Sequence, residues 1–345
     1  MSEFQRLEEA GVMEKTPKTA SWWSRLSKRS KVLLAAGLAI IVLAIALGVG
    51  LGVGLNHGED EGNDNSSSSP TSTSAPLPPT NASIWQPKVE ATWQIVLLNP
   101  LQIDSSSPSI TPDVDVYDID LFDNPKATID ALHTLGKKVI CYFSAGSYES
   151  GRPDSSEFQD ADKGKELDGW PGEYWLQLNS SNVRSIMGKR LELAASKGCD
   201  GVDPDNVDGF DNDNGLDLTE DSSISFISFL ANKAASLNLS IGLKNAAAII
   251  PSVLPAIQFS VNEQCVENDE CAEFSGFVNA SKPVFHIEYP KEKAGQKVAS
   301  QVCGDTGAAE GSQGFSTVKK NLNLDGWVEY CNGTTFDTST TVKAS

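Results

Sequence analysis

From about residue 93 onward the apolar positions switch repeatedly between a two-residue period and a three-to-four-residue period. β-Branched and aromatic runs at 93–97 (WQIVL), 115–120 (DVYDID), 138–144 (KVICYFS), 199–203 (CDGVD), 239–243 (LSIGL), 258–262 (QFSVN), 284–288 (VFHIE) and 313–318 (QGFSTV) each read as a short strand. Helical faces separate several of them. Pro125 opens one, with Ile129, Leu132 and Leu135 on a single side and Gly136 behind it. A second carries Val183, Ile186, Met187, Arg190, Leu191 and Ala194 before Gly198, and a third carries Ile227, Leu230, Ala231 and Ala234. Strands alternating with amphipathic helices call for a parallel sheet, and eight strands predict its closure into a (β/α)8 barrel. A doubly wound open sheet is the alternative, although no GxGxxG follows the first strand.

The N-terminal part follows a different rule. Val32 to Leu55 are 24 residues without a charged or strongly polar side chain. As a helix they would extend about 36 Å, against a hydrocarbon core of about 30 Å, so a single transmembrane helix is expected over 32–55. Lys15, Lys18, Arg25, Lys28, Arg29 and Lys31 precede it, and Glu59, Asp60, Glu61 and Asp64 follow. That bias makes 1–31 a cytoplasmic tail and the segment a type II signal anchor, with the rest of the chain extracellular or luminal. A cleaved signal peptide, the competing reading, would have a shorter apolar region nearer the start. Residues 56–83 are dominated by Ser, Thr, Pro and acids and read as a disordered stalk, which leaves 84–345 for the barrel.

Charge narrows the partners. The chain carries 27 Lys and Arg against 46 Asp and Glu, a formal net charge of -19. Counted over 84–345 alone, the balance is 20 basic against 38 acidic residues. Nucleic acid is excluded as a partner, because phosphate binding needs Lys and Arg to displace counterions; a cationic partner fits. Sequons at Asn65, Asn81, Asn179, Asn238, Asn279 and Asn332 and an even count of six cysteines suit an exported glycoprotein. Cys265–Cys271 is the first expected bridge and Cys303–Cys331 the next, while Cys141 and Cys199, inside apparent strands, read as buried free thiols. With three His and no CxxC, no metal site and no cofactor are expected. The barrel is expected to be a monomer.

In a barrel of this kind the loops after the strands build the site, so polar residues at the strand C-termini are the candidates. Carboxylates dominate there: Asp118 and Asp120 after the second strand, Asp203 and Asp205 after the fourth, Glu263 after the sixth and Glu288 after the seventh, with Lys244 and Asn245 after the fifth. A set of acids in one mouth splits into protonated and ionised members, which supplies both a proton donor and a nucleophile. Any single Asp could instead cap a following helix. The long segment 145–181, holding Arg152, Trp170, Tyr174 and Trp175, is of a length usually kept for function.

The runs YDIDLFDNP (117–125), VICYFSAGSYESGRPD (139–154), CDGVDPDNVDGF (199–210), GLKNA (242–246) and NEQC (262–265) together resemble glycoside hydrolase family 114, the endo-α-1,4-polygalactosaminidases of filamentous fungi and bacteria. The resemblance covers about 84–330 and implies a TIM-type barrel that cleaves α-1,4-linked galactosamine polymers. It places the acidic pair on Asp205 and Glu263. Those two lie two strands apart, which lets carboxylates face a sugar from opposite sides, as glycosidic cleavage requires. Asp203 shares the parity of Asp205 and could exchange roles with it. Tyr117, Asp118, Asp120, Tyr142, Asp203, Asn206, Lys244, Asn245 and Tyr289 are expected to bind the sugar. The expected protein is therefore a membrane-anchored glycosidase acting on a cationic polysaccharide by a two-carboxylate, retaining mechanism. A carbohydrate-binding barrel without turnover and an exo-acting α-galactosidase-like hydrolase are the rivals.

Overall fold

The computed structural model describes residues 84–342 apart from 105 and 107. The expected tail, transmembrane helix and stalk lie outside the described residues. No helix among the described residues is long and apolar enough to cross a membrane.

The strands are β1 (Trp93–Val96), β2 (Val116–Asp120), β3 (Lys138–Ser144), β4 (Ser147–Glu149), β5 (Lys163–Leu167), β6 (Trp170–Leu176), β7 (Gly201–Asp205), β8 (Ser240–Lys244), β9 (Phe259–Glu263), β10 (Val284–Glu288), β11 (Ser316–Lys319), β12 (Trp327–Tyr330) and β13 (Thr335–Asp337). β1, β2, β3, β7, β8, β9, β10 and β11 pair in that order, all parallel, and match the eight runs read from the sequence. The β12–β13 hairpin adds to β11 antiparallel, giving ten strands in a curled, barrel-like sheet. No β1–β11 ladder joins the ends among the described residues. Instead, Trp93 Nε1 donates to Ser316 O of β11 at 2.7 Å, Tyr330 OH donates to Trp93 O of β1 at 2.9 Å, and Leu97 N and Leu98 N, just past β1, both donate to Leu324 O, so side chains and an incoming loop satisfy backbone groups along this seam.

The helices are α1 (Lys126–Thr134), α2 (Ser181–Lys197), α3 (Glu220–Ser236), α4 (Ile250–Val253), α5 (Cys265–Asn268) and α6 (Cys271–Asn279). α2 starts at Ser180, whose hydroxyl accepts from Asn182 N and Val183 N, and ends at Gly198 with φ +91°. It buries the six residues expected from the sequence, Arg190 included, because that guanidinium pairs with Asp154 and donates to Ser144 O. Among the described residues α-helices follow the barrel strands β2, β3, β7, β8 and β9, the one after β3 coming behind the β4–β6 insertion, and none follows β1 or β10, which departs from a regular (β/α)8 repeat. Pro100, Pro108 and Pro112 punctuate the segment after β1, and five glycines between 295 and 314 break the one after β10.

Two apolar layers result. Trp93, Ile95, Val116, Ile140, Phe259, Val261, Phe285, Ile287 and Val318 fill the barrel, while the opposite strand faces pack on the helices. Cys141 and Cys199 lie on that outer face and are bonded to each other, as are Cys265–Cys271 and Cys303–Cys331. This corrects the expectation of two free thiols: parallel pairing of β3 with β7 brings the two Cα atoms to 6.0 Å, within disulfide reach. Asn179, Asn238, Asn279 and Asn332 are all exposed.

Candidate active site

Three adjacent strands end on charged residues: β7 on Asp205, β8 on Lys244 and β9 on Glu263. The residue after each, Asn206, Asn245 and Gln264, has φ of +59°, +49° and +64°. Asn tolerates this left-handed conformation better than most side chains, and the turn aims the preceding side chain into the mouth. Asn206 N then donates to Asp205 Oδ1 at 2.7 Å, and Asn245 Oδ1 accepts from Glu263 N at 2.8 Å. Gly146 lets the next loop close on this turn: Ala145 N and Gly146 N both donate to Asp205 O, and a Cβ on Gly146 would sit 1.8 Å from Asn206 O.

Lys244 Nζ lies 3.2 Å from Asp205 Oδ1 and 3.2 Å from Glu263 Oε2. These two carboxylate oxygens are therefore no farther apart than twice that distance. The ammonium is 2% exposed, whereas the Asp205 and Glu263 side chains keep 16% and 23% of their surface. A tyrosine braces each acid. Tyr142 OH donates to Asp205 Oδ2 at 2.8 Å, and Tyr289 OH donates to Glu263 Oε1. Burial and the adjacent carboxylates hold both phenols protonated, far above the usual tyrosine range. Burial alone would raise the Glu263 carboxyl, but the Lys244 ammonium and three hydrogen bonds overcome it and hold Glu263 below the ordinary glutamate value.

One pleat deeper on the same inward faces lie Asp203 and Asp118, both fully buried. None of their four carboxyl oxygens has a hydrogen-bond partner. Desolvation and neighbouring carboxylates raise Asp118 well above the normal range and push Asp203 up to about 7, against the pull of Lys244. Asp120 is buried as well. Its Oδ1 accepts from Phe122 N and Asp123 N in a turn, and its Oδ2 pairs with Arg152 at 2.7 Å. Arg152 also grips Glu149 at 2.8 Å and so ties the third loop to β2.

That loop is not structureless: β4, β6 and β5 form a small antiparallel sheet at the rim. Register places Glu149 opposite Glu173, and burial, Glu149 and Asp205 push Glu173 up to about 7. Trp170 on the same sheet is 44% exposed. The sequence pointed to this segment by length and aromatic content but did not single out Glu173.

The structure thus brings Asp205 and Glu263 together and distributes the nine expected sugar ligands unevenly. Tyr142, Asn206 and Asn245 remain partly exposed at the mouth. Asp118, Asp120, Asp203, Lys244 and Tyr289 are buried around or beneath the carboxylate pair and shape it from within. Tyr117 does not join them. It faces the helices, and its hydroxyl donates to Pro112 O, because alternation along β2 sends it outward when Asp118 points inward. Among the described residues one group of metal-type ligands occurs, Cys265, Cys271 and His286, and its two sulfurs are bonded to each other.

None of the curated proteins compared matches the chain. Among solved structures, the galactosamine complex of Aspergillus fumigatus Ega3 is 56% identical, covers 72% of this chain and 97% of its own, and has a TM-score of 0.66. The glycoside hydrolase domain of PelA from Pseudomonas aeruginosa, at 13% identity and a TM-score of 0.53 over 68% of this chain and 95% of its own, shares the fold. The family model for glycoside-hydrolase family GH114 matches residues 74–336, and with a barrel-like sheet whose strand ends converge on an acidic pair, the chain belongs to that family.

Proposed function

We propose that the chain is a membrane-anchored, extracytoplasmic enzyme that cleaves α-1,4-linked galactosamine-containing polysaccharide, with Asp205 as nucleophile and Glu263 as acid/base. Membership of GH114 makes it a glycoside hydrolase of the polygalactosaminidase type. The observation that carries the mechanism is the pairing of Asp205 and Glu263 across one ammonium. Two carboxylates that share one ammonium at 3.2 Å each stand close together, which supports a retaining, double-displacement reaction, for which the carboxyl groups lie about 5 to 5.5 Å apart.

In that reaction Asp205 Oδ attacks the anomeric carbon while Glu263 protonates the departing glycosidic oxygen. The glycosyl–Asp205 ester is then opened by a water whose proton goes to Glu263. Tyr142 orients Asp205, Tyr289 orients Glu263, and Asn206 and Asn245 at the mouth are placed to meet sugar hydroxyls. The excess of carboxylates over 84–345 attracts a polymer that carries free amines. The galactosamine bound to Ega3 supports the same sugar here.

Partly deacetylated and fully acetylated α-1,4-galactosamine polymers and a neutral α-galactan separate the readings. The expected result is shortening of the deacetylated polymer to mixed oligomers, slowed by acetylation and by salt. Release of monosaccharide alone would indicate exo action. Binding with polymer length unchanged would leave a carbohydrate-binding barrel.

The Lys and Arg residues before Val32, and the sequons after Leu55, support a cytoplasmic tail 1–31, an anchor 32–55 and a stalk 56–83. In intact microsomes, protease is expected to remove the tail and spare the barrel. Digestion of the barrel with survival of the tail would reverse the topology.

A further inference from the structure

Glu149 and Glu173 stand directly opposite each other on β4 and β6, an arrangement that like charges disfavour. Only one of the two is relieved. Arg152 gives Nε and Nη2 to the Glu149 carboxylate, both at 2.8 Å, and its Nη1 lies 2.7 Å from Asp120 Oδ2. Glu173 is left without an ion pair among the described residues. Its hydrogen bond from Ser147 Oγ is 3.4 Å long, against about 2.7 Å for a hydroxyl well placed on a carboxylate.

The same face of that sheet is tied to Asp205. Alternation puts Ser147, Glu149, Glu173 and Trp175 on one side. Ala145 N and Gly146 N, just before β4, donate to Asp205 O, and Ser147 Oγ accepts from Asn206 Nδ2 at 2.9 Å. Two hydrogen bonds through one hydroxyl thus connect Glu173 to the residue next to Asp205.

We propose that Glu173 is a specificity-determining residue that pairs with the ammonium at C2 of the sugar whose anomeric carbon meets Asp205. The proposal rests on the reading of Asp205 as nucleophile. C2 is bonded to the anomeric carbon, so its substituent is among those nearest the attacking oxygen. A sugar ammonium there gives Glu173 what Arg152 gives Glu149. Burial and the charges of Glu149 and Asp205 push the Glu173 carboxyl up to about 7, and a cation at hydrogen-bond distance favours its ionised form. An N-acetyl group on the same nitrogen removes the charge and leaves the carboxyl facing a neutral amide.

Nearby protein cations do not compete. Lys244 is held by Asp205 and Glu263, and Arg152 by Glu149 and Asp120. Asp203, fully buried on the inward face of β7 two residues before Asp205, has no partner on either oxygen. Carboxyl oxygens on this wall therefore outnumber the donors that the chain supplies to them.

Calorimetric binding of monosaccharides reads the pairing without turnover. The protein should take galactosamine about tenfold more tightly than galactose or N-acetylgalactosamine. Glu173→Gln should cancel that preference while leaving galactose within about twofold. It should hardly change 6-amino-6-deoxygalactose, which carries the same charge on another carbon. Glu173→Asp keeps the charge but draws it back by one methylene, so it should lose most of the preference as well. Glu173→Gln also removes a like-charge pair at a half-buried strand position, so it should melt no lower than the parent chain. Equal weakening of both amino sugars by Glu173→Gln, or full galactosamine binding by Glu173→Asp, would reduce Glu173 to part of a general negative field and overturn the pairing. A parent chain that takes galactose as well as galactosamine, or takes neither, would overturn it too. Retained activity in a folded Asp205→Asn variant would remove the nucleophile reading, a separate failure from an unchanged sugar preference.

Discussion

Asp205→Asn is expected to lower kcat on galactosamine polymer by on the order of 10⁴-fold, because it removes the group proposed to form the glycosyl–enzyme bond. The amide is nearly isosteric: its Oδ1 keeps the bond from Asn206 N, its Nδ2 can donate to the Tyr142 hydroxyl oxygen in place of the bond Asp205 accepts there, and Glu263 still pairs with Lys244, so the melting temperature should change little. Glu263→Gln should cost about 10²- to 10⁴-fold, and least on substrates whose leaving group needs no proton. Azide should partly rescue Glu263→Ala on such a substrate, giving an azide product of retained configuration, since the ester at Asp205 still forms. Activity near wild type in a folded Asp205→Asn variant would shift the nucleophile to another residue, with Asp203 next in line by parity.

Lys244→Met should be the most damaging single change to stability at this site. It leaves the Asp205 and Glu263 carboxylates facing each other without their shared cation, a loss of about 3 kcal/mol for breaking a buried pair. The pH dependence follows from Glu263. Its carboxyl is lower in the folded chain than in the unfolded one, so the stabilisation is present above the unfolded value and is lost as pH falls through the folded one. The gap between wild type and Lys244→Met in urea denaturation should therefore be widest near neutrality and close below about pH 4. A gap that does not vary with pH would assign the loss to packing rather than charge.

Most of the frame was legible because its signals are local. Eight strand runs, the buried face of α2 and the carboxylates at strand ends all follow from period and punctuation over short windows. Depth was harder. Asp203 and Asp205 share a face and differ by one pleat, so alternation alone does not say which reaches solvent. Tyr117 and Asp118, being adjacent on β2, could not both face the mouth, and strict alternation would have excluded one of them. Pairings between distant segments had no local signal. Arg152 with Asp120, Cys141 with Cys199, and the Leu324 loop against β1 exist only once the sheet has curled. The role of Lys244 belongs to the same class, since a lysine at a strand end reads as a sugar ligand until its two carboxylate partners are seen.

The account stands most directly on the covalent step. Glu263→Gln, treated with an aryl α-galactosaminide bearing a good leaving group, should form the glycosyl–enzyme quickly and open it slowly, because no base remains to activate water. Proteolysis and mass spectrometry should then find one galactosaminyl group on the peptide spanning β7, attached at Asp205. A label on Asp203 or on any other residue, or burst-free release of product with inverted anomeric configuration, would contradict it.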